Sequence, residues 1–343
     1  MTLFSPLEAG ITGRTIRGAM FESRMRSLFQ GAAKACYGRA MMKPLLVLAF
    51  ALWSGAALAA PCDRACLKST LDQYLKAVVK HDRAAAPLGV GFRETENAAV
   101  TPAGAGLWKS MTAVGKLDRR YVDAVTGQAA FFGVIEEAAG PAIATLRLKV
   151  EDRKITEAEW VINRKGDPGL GPLGGQQADA AYHDPDYLLA HPPAERAVPA
   201  SGRRTRSELV AIANSYFDGL SAHDGKIILA HPGCVRVENG ALTTQRPAPA
   251  GGGATDCTAE GAMRNIFAVT ARRYPIVDEE AGVVLGLALF QRKPDLDMRR
   301  NLLAEWFYVD GDRIRTIYAS MYYPPGEAMA PNWPPYDGNW PPK

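Results

Sequence analysis

Two short charged segments of this 343-residue chain contain the side chains that general acid–base chemistry requires. They are Arg93, Glu94, Glu96 and Asn97 in one segment and Arg236, Glu238 and Asn239 in the other. Alternate side chains of an extended strand share a face, so Arg236 and Glu238 should lie side by side, either paired or directed into a pocket. A carboxylate beside a guanidinium stays ionised and suits a base or a ligand anchor. The alternative is that Asn239-Gly240 forms a turn and that the charges are structural.

Aromatic and ionisable residues further along the chain, after the second segment, extend this candidate site. Glu305 alternates with Phe307, so a carboxyl group lies beside the phenyl ring if Phe307 faces an apolar interior. Burial raises the pKa of such a carboxyl group and suits it to serve as an acid or base. The predicted catalytic residues are Arg236, Glu238, Tyr274 and Glu305. The predicted substrate-binding residues are Arg93, Glu96, Arg273, Phe307 and Tyr322, and Asp278 is a further candidate.

Standard enzyme signatures are missing from the sequence, which contains no GxSxG, HExxH or GxxxxGK[ST] motif. One GxGxxG match, at 169–174, contains Pro172 and opens no helical pattern, so we interpret it as linker. His81-Asp82 and His223-Asp224 follow helical patterns, where a structural role near the helix end is favoured. His183 to His191 could chelate a metal, but a solvated loop is favoured. We therefore predict no cofactor and no metal.

Two parts of the chain repeat each other. At an offset of 142, Tyr74, His81, Asp82, Glu96 and Asn97 recur as Tyr216, His223, Asp224, Glu238 and Asn239. Further on, Arg119-Arg120-Tyr121 recurs as Arg272-Arg273-Tyr274, and Asp123 with Gly127 as Asp278 with Gly282. The offset grows to 155, which insertions explain. The repeat predicts two copies of one folding unit.

Each copy begins with a helical pattern and ends with strand-like runs. Apolar residues recur at helical spacing over 67–79 and 209–220, and Thr205 with Glu208 forms a capping box. The strand-like runs are 129–135, 143–150 and 155–162, then 283–290, 302–309 and 314–322. A helix followed by antiparallel strands predicts an α+β fold. The predicted boundaries are 60–163 for the first domain, 164–204 for a linker, 205–323 for the second domain and 324–343 for a Pro/Trp-rich tail.

The N-terminal residues predict export. Lys43 precedes an apolar run at 45–53, and small residues follow to Ala59, which is the order of a secretory signal. The apolar stretch is shorter than the ~20 residues of a membrane-spanning helix. We predict a signal peptide at 41–59, a periplasmic or secreted protein and no membrane association after cleavage. Residues 1–40 are interpreted as a start-site artefact, with a transit peptide as the alternative.

Four cysteines remain after cleavage: Cys62, Cys66, Cys234 and Cys257. In an oxidising compartment they predict two disulfides, and three pairings are possible. The sequence-local pairs, Cys62–Cys66 and Cys234–Cys257, are favoured over a zinc site, because the sequence has no paired CxxC and no His at ligand spacing beside these cysteines.

The charge balance argues against nucleic acid as a partner. The chain has 40 basic and 36 acidic residues, but residues 1–59 hold seven basic and two acidic ones, which leaves the remainder at −1. A body without a basic run lacks the charge that binding a phosphate backbone requires.

The layout resembles a family of secreted fungal and bacterial proteins built from two copies of a domain of unknown function, of the nuclear transport factor two-like type. The resemblance covers about 62–323 and rests on CDRACLKSTLDQYL, FRETEN, HPGCVRVENG, Asp256-Cys257 and RRYPIVDEEAG. It supports the pair Cys234–Cys257. It also implies a cone-shaped domain, a curved antiparallel sheet wrapped around N-terminal helices, and a pseudo-dimer of two cones within one chain.

The resemblance implies a small-molecule ligand and two classes of function. The first is a cofactor-independent lyase, dehydratase or isomerase that acts on a mainly apolar or aromatic substrate by acid–base chemistry. The second is a non-catalytic ligand-binding or envelope interaction protein. Fold analogy does not decide between them.

Overall fold

The structure, a computed structural model, describes residues 61–245, 255–258, 265–293 and 298–324. The predicted upstream segment, the signal peptide and residues 325–343 of the predicted tail lie outside this range. Within these segments, no helix is long and apolar enough to cross a membrane.

The first half begins with helix α1 (Arg64–Val79). The Asp63 side chain accepts a hydrogen bond from the Cys66 backbone N–H (2.9 Å), which caps the helix start. Strands β1 (Leu88–Glu96) and β2 (Ala99–Val100) and the short helix α2 (Leu107–Ser110) follow. Four strands then run as a meander: β3 (Met111–Asp123), β4 (Gln128–Glu137), β5 (Gly140–Glu151) and β6 (Lys154–Asn163).

A connector that contains the short helix α3 (Pro185–Ala190) leads to the second half. Helix α4 (Arg206–Ala222) begins with the predicted capping box, in which Thr205 and Glu208 bond each other's backbone N–H. The strands are β7 (Ala230–Glu238), β8 (Ala241–Leu242), β9 (Ile266–Asp278), β10 (Val283–Arg292), β11 (Asn301–Asp310) and β12 (Arg313–Tyr322). Each predicted strand is present, extended by up to a few residues.

The two halves contain six-stranded sheets with the same strand order. The first is β2-β1-β6-β5-β4-β3 and the second is β8-β7-β12-β11-β10-β9. Both sheets are mixed, because β1 runs parallel to β6 and β7 runs parallel to β12. The expectation of purely antiparallel sheets was therefore wrong. β1 reaches β6 through the whole meander, so no tight hairpin imposes an antiparallel pairing. The fold is mixed α/β with two sheet domains.

Each sheet buries one face against its own helix and the other face against the second sheet. Helix α1 packs against β3 and β4, and their shared core, the first interior, includes Leu71, Phe131 and Trp160. Helix α4 packs in the same way on its sheet, and this core, the second interior, includes Phe217 and Phe307. A third cluster lies between the two sheets and contains side chains from both. Because side chains alternate along a strand, each strand contributes to the core beneath its helix and to the core between the sheets.

Polar contacts cross between the halves in a reciprocal pattern. The Arg64 guanidinium of α1 bonds both carboxylate oxygens of Asp278 (3.0 and 3.1 Å), while Arg206 of α4 bonds Asp123 (2.5 Å). Asp278 also accepts the backbone N–H of Val122 (3.1 Å), and Asp123 accepts that of Val277 (3.0 Å). The repeated aspartates thus join the halves, which explains their recurrence without assigning them to a site.

The structure confirms both predicted disulfides, Cys62–Cys66 and Cys234–Cys257. The first links the start of α1 to the residue just before its cap. The second ties β7 to the segment 255–258. Two disulfides are consistent with an extracellular or secreted protein.

Candidate functional site

The second interior contains a bonded group of one cation, one carboxylate and one hydroxyl. The Arg236 guanidinium donates to the Tyr216 hydroxyl (Nη1 to Oη, 2.7 Å) and lies 3.3 Å from a Glu238 carboxylate oxygen (Nε to Oε1). Thr243 accepts a further bond from Arg236 Nε (2.9 Å). Burial raises the pKa of Tyr216 well above its ordinary value, against the opposing effect of Arg236, so Tyr216 remains a protonated hydroxyl.

Glu305 is a fully buried carboxyl group in this interior. It is 0% exposed, and neither carboxylate oxygen has a hydrogen-bond partner among the described residues. Desolvation, and then the charge of Glu238, raises the pKa of Glu305 well above its ordinary value, while Arg236 opposes this effect. Burial thus favours the neutral form of this carboxyl group over the charged one.

Sheet register places the two carboxyl groups on either side of a small residue. Glu238 of β7 pairs with Ala319 of β12, and Ala319 pairs with Glu305 of β11, so all three side chains point to the same face. Two strand spacings separate the Cα atoms of Glu238 and Glu305 by about 10 Å. Side chains that extend towards each other across Ala319 can therefore contact opposite edges of one small molecule.

We call the residues that pair across neighbouring strands a transverse row. In the first half, the side chains of the equivalent transverse row are large and mostly apolar. There the register runs Glu96, Trp160, Leu146, Phe131, where the second half has Glu238, Ala319, Glu305, Gly286. Gly286 has no side chain where the first half has Phe131, but the rings of Phe217 and Phe307 occupy this space. A Cβ added at Gly286 would lie 3.0 Å from both rings. The row thus differs at three consecutive positions, and Glu305 replaces an apolar leucine.

The first interior is organised around a carboxyl group that is fully bonded. Glu94 accepts bonds from the Tyr74 hydroxyl (2.9 Å) and from Trp108 Nε1 (2.6 Å). Desolvation raises the pKa of Glu94 to about 6, against the opposing effect of these two hydrogen bonds. Glu96 accepts the backbone N–H of Leu107 (2.6 Å) and thereby anchors the start of α2. Every polar group named here already has an internal partner.

The rim of the second interior is closed by the connector. Leu170 belongs to the second core, and Gln177 accepts a bond from the hydroxyl of Tyr323 (3.0 Å), which follows β12. Backbone bonds fold this part of the connector on itself, for example from Leu170 N–H to the Gln177 carbonyl (2.6 Å). The segment predicted to be a plain linker therefore packs on the second half and contributes a polar side chain beside it.

The structure brings together only part of the predicted set. Arg236, Glu238, Glu305 and Phe307 share the second interior, and Tyr274 packs at its edge with its hydroxyl donating to Asn214 (2.6 Å). Tyr322 lies on the opposite face of β12 from its core neighbours Met321 and Tyr323. Arg93 and Glu96 are in the first half, and alternation places Arg93 on the face away from Glu94.

Arg273 lies in a buried ion cluster between the sheets and not in the second interior. It bonds both carboxylate oxygens of Glu159, which also accepts from Arg147 (2.9 Å). Burial acts to raise the pKa of Glu159, but the two guanidinium groups outweigh it and lower the pKa. The register of β9 against β10 shifts between Arg273 and Ile276, so simple alternation does not predict which face Arg273 takes.

Several residues that recur in both halves have matching structural contacts. The Asn97 amide bridges both backbone groups of Ile162 (2.8 and 3.0 Å), and Asn239 does the same with Met321 (2.7 and 3.1 Å). The ring of His81 bonds the Trp108 carbonyl (2.8 Å). His223 likewise bonds a carbonyl at the start of β9. These contacts favour the structural interpretation of the repeated residues.

Sequence reasoning missed Tyr216, Ala319 and Tyr323 as members of the site. Tyr216 follows the helical period of α4 and looks like an ordinary core residue. Its recurrence as Tyr74 and Tyr216, together with the change from Glu94 to Arg236 at its partner, is the signal that could have identified it. An alanine in a strand carries no signal of its own.

Two open surface grooves lie elsewhere. One of about 680 Å³ runs along α4 and is lined by Arg206, Val210 and Asn214. The other, about 400 Å³, is lined by Arg64, Asp123 and Arg203. Arg64 and Arg206 are already paired with aspartates, so we place the site at Glu305, which has no hydrogen-bond partner in the described part of the chain, and not at the groove of larger volume. In the described segments, no group of three or more His, Cys, Asp and Glu side chains could hold a metal ion.

Comparison with known proteins adds a family match for the second half. Residues 202–321 match a family model described as a domain of unknown function, DUF8021. No curated protein matches the chain. One similar solved structure is that of AusH from Aspergillus nidulans, with a TM-score of 0.26 and 12% identity over 34% of this chain and 85% of that chain. The DUF8021 match is compatible with the superfamily that the sequence resembles.

Proposed function

We propose that the second interior is a small-molecule site that transfers protons without a cofactor, in the manner of a lyase, dehydratase or isomerase acting on a mainly apolar or aromatic substrate. The observation that carries this proposal is Glu305, a fully buried carboxyl group without a hydrogen-bond partner among the described residues, on the same sheet face as the Arg236–Glu238 ion pair. Burying an unpaired polar group costs stability, so its presence in a core is a candidate functional feature.

The two carboxyl groups suit opposite roles. Glu305 is the acid: in its protonated form it donates a proton to an oxygen of the substrate. Glu238 is the base: its ion pair with Arg236 (3.3 Å) holds the carboxyl group in place, where it can accept a proton from carbon. Arg236 orients Glu238 and is itself held by Tyr216 and Thr243. Two carboxyl groups in different surroundings are a recurring arrangement for acid–base catalysis.

This proposal includes the finer features that the resemblance implies. Each half is a cone, a curved sheet around its helix, and the two cones are copies of one unit that pair within an exported chain. The identical strand orders and the reciprocal Arg64–Asp278 and Arg206–Asp123 contacts support the pairing. The second half carries the site and the first half supplies its partner surface.

A non-catalytic ligand-binding or envelope interaction protein is the second candidate. The observation that favours it is that Arg236, Glu238, Tyr216 and Thr243 bond one another, which satisfies these groups without any substrate. In that case Glu305 contacts the ligand, and no proton moves.

The test compares three matched substitutions in the exported protein: Glu238→Gln, Glu305→Gln and, as the control in the other interior, Glu94→Gln. The ligand that co-purifies is identified by mass spectrometry, and its conversion is followed by NMR in D2O. We expect the first two variants to lose turnover by about a hundredfold, the usual contribution of a general acid or base, and the control to keep it. Unchanged turnover in both variants, or no conversion by the wild type, favours the non-catalytic candidate.

A further inference from the structure

The two disulfides of the chain lie in different surroundings. Cys234 and Cys257 belong to the second core and are 0% and 1% exposed. Cys62 and Cys66, at the start of α1, are partly exposed. A thiol has to reach a sulfur atom in order to attack a disulfide. The Cys62–Cys66 bond is therefore the one that a thiol in solution can attack while the chain is folded.

Cys62 and Cys66 occupy positions at which the second half has an ion pair. At the offset of 142 they correspond to Arg204 and Glu208, whose charged groups lie 3.7 Å apart (Nη1 to Oε1). Both pairs span the first turn of a helix, α1 in one half and α4 in the other. An exposed ion pair responds to salt, whereas a disulfide responds to a reductant. The start of α1 is thus held by a bond that redox conditions can break.

The part of α1 that this disulfide holds also joins the two halves. Arg64 lies between Cys62 and Cys66 in the chain. Its guanidinium bonds both carboxylate oxygens of Asp278 (3.0 and 3.1 Å) and lies 3.2 Å from Glu280, and both acidic residues belong to the second half. The disulfide closes a ring that contains Arg64, so it restricts the backbone conformations in which Arg64 could leave Asp278.

We propose that the Cys62–Cys66 disulfide is a redox-sensitive clasp, which exchanges with a dithiol while the chain is folded and, once reduced, loosens the Arg64–Asp278 contact between the halves. The clasp lies outside the second interior, so this proposal does not depend on the proton-transfer site.

The exchange has two steps. A thiolate of the dithiol attacks Cys62 Sγ, the bond between the two cysteines breaks, and Cys66 leaves as a thiolate. The second thiolate of the dithiol then attacks the dithiol sulfur of the mixed disulfide, which releases Cys62 and forms an intramolecular disulfide in the reagent. Two electrons pass from the dithiol to the cysteines, and the two protons of its thiols end on the two cysteine sulfurs.

The surroundings of Cys66 favour it as the leaving group. It lies in the first turn of α1, where backbone N–H groups stabilise a negative charge. The Arg153 guanidinium lies 3.5 Å from its sulfur (Nη1 to Sγ) and adds a positive charge. The Asp63 carboxylate, which caps the same turn, acts in the opposite direction. A stabilised thiolate leaves faster, so removing the charge of Arg153 should slow the exchange.

The first experiment measures the reduction of each disulfide in the folded protein. Dithiothreitol is added, samples are quenched with iodoacetamide, and mass spectrometry locates the alkylated cysteines. We expect Cys62 and Cys66 to be reduced about a hundredfold faster than the internal control, Cys234 and Cys257. Arg153→Gln should slow the reaction about threefold, and Arg153→Lys, which keeps the charge, should restore it. Equal rates for the two disulfides overturn the proposal.

The second experiment tests the coupling between the disulfide and the contact of the halves. The reduced fraction of the clasp is measured against the ratio of reduced to oxidised dithiothreitol in the wild type, Arg64→Gln and Arg206→Gln. Coupling between two sites is reciprocal, so loss of the Arg64–Asp278 bond should make the disulfide about fivefold easier to reduce. Arg206→Gln is the matched control. It removes the equivalent bond to Asp123 at the start of α4, where the first turn contains no cysteine, and should leave the ratio unchanged.

Hydrogen–deuterium exchange shows what the reduced clasp releases. Selective reduction should speed exchange at the start of α1 and at the end of β9, around Asp278. The double variant Cys62→Ser/Cys66→Ser should reproduce this pattern without dithiothreitol. Faster exchange confined to α1, or an equal change of the redox ratio in Arg64→Gln and Arg206→Gln, overturns the clasp as a link between the halves.

Discussion

The two interiors share the contacts that build the fold and differ in the residues that could act on a ligand. Asn97 and Asn239 bond equivalent strands, β6 and β12, and Asp123 and Asp278 join the halves with reciprocal contacts. The differences lie in one transverse row, where Trp160 and Leu146 of the first half become Ala319 and Glu305. The recurrent asparagines and aspartates therefore serve the fold, whereas the positions that diverge, together with the recurrent Glu238 and Tyr216, form the candidate site.

A second difference between the two interiors is the hydrogen bonding of their buried carboxyl groups. In the first, Glu94 has two neutral donors, Tyr74 and Trp108, so its hydrogen-bonding capacity is used internally. In the second interior, Arg236 occupies the position equivalent to Glu94 and donates to the Tyr216 hydroxyl. The buried carboxyl group of this interior, Glu305, lies two strands away. The first arrangement is a satisfied core. The second leaves a polar group for something other than the described residues to contact.

The largest expected effect tests whether the two halves form one cooperative unit. Glu159 of the first half is the carboxylate shared by Arg147 and Arg273, which belong to different halves. Glu159→Gln keeps the shape and removes the negative charge that the buried guanidinium groups of Arg147 and Arg273 share, so we expect a loss of about 3 to 5 kcal/mol in the free energy of unfolding. Denaturant unfolding followed by Trp fluorescence measures it.

A single transition that shifts as a whole is the expected form of that result. Two separate transitions, with only one displaced by Glu159→Gln, would show that the halves unfold independently and that the ion cluster does not couple them. Glu157→Gln is the control, because Glu157 bonds Arg147 within the first half (2.7 Å) and is partly exposed.

The second prediction concerns the position in the row at which Leu146 of the first half corresponds to Glu305 of the second. Glu305→Leu introduces the residue that the first half has at Leu146, and removes a buried polar group that has no partner among the residues the structure describes. We expect the variant to be more stable by something on the order of 3 kcal/mol, from the polar group removed and the apolar surface gained, with ligand binding lost. Thermal unfolding and ligand binding are measured on one preparation.

The reverse exchange, Leu146→Glu, should destabilise the first half because it buries a carboxyl group in an apolar core. If Glu305→Leu instead lowers stability, Glu305 serves the fold, and the comparison between the interiors loses its functional meaning. A gain in stability together with a loss of binding is the pattern of a residue kept for function.

Much of the fold follows from local sequence patterns, because local forces decide it. Helical spacing and the Thr205–Glu208 box predict α4, and apolar runs predict the last three strands of each half. Alternation along β7 and β11 places Arg236 with Glu238 and Glu305 with Phe307. Disulfides between cysteines near in sequence were also predictable.

The remainder depends on long-range packing that local patterns do not contain. Arg273 goes to the interface because the register of β9 shifts next to Pro275, which breaks the alternation on which its assignment rested. Ala319 gains significance only from its register partners on β7 and β11. The contact of Gln177 with Tyr323 joins residues far apart in sequence, and nothing local to either residue predicts it.

The smallest expected effect is a pH dependence that distinguishes the two buried carboxyl groups. The pKa of Glu94 is raised to about 6, so between its unfolded pKa near 4.5 and about 6 the folded chain binds more protons than the unfolded chain. Stability contributed by this group is therefore greatest below pH 4.5 and falls by about 2 kcal/mol as the pH rises through 6, after which it is constant. Glu305 contributes in the same direction, but its loss extends to higher pH because its pKa is raised further. The free energy of unfolding is measured from pH 4 to 8. In Glu94→Gln we expect the decrease near pH 6 to be absent, and in Glu305→Gln we expect the further decrease above pH 6 to be absent. If Glu305→Gln leaves the decline above pH 6 unchanged from that of the wild type, Glu305 does not cause the decline, and the raised pKa on which its role as the acid rests is overturned.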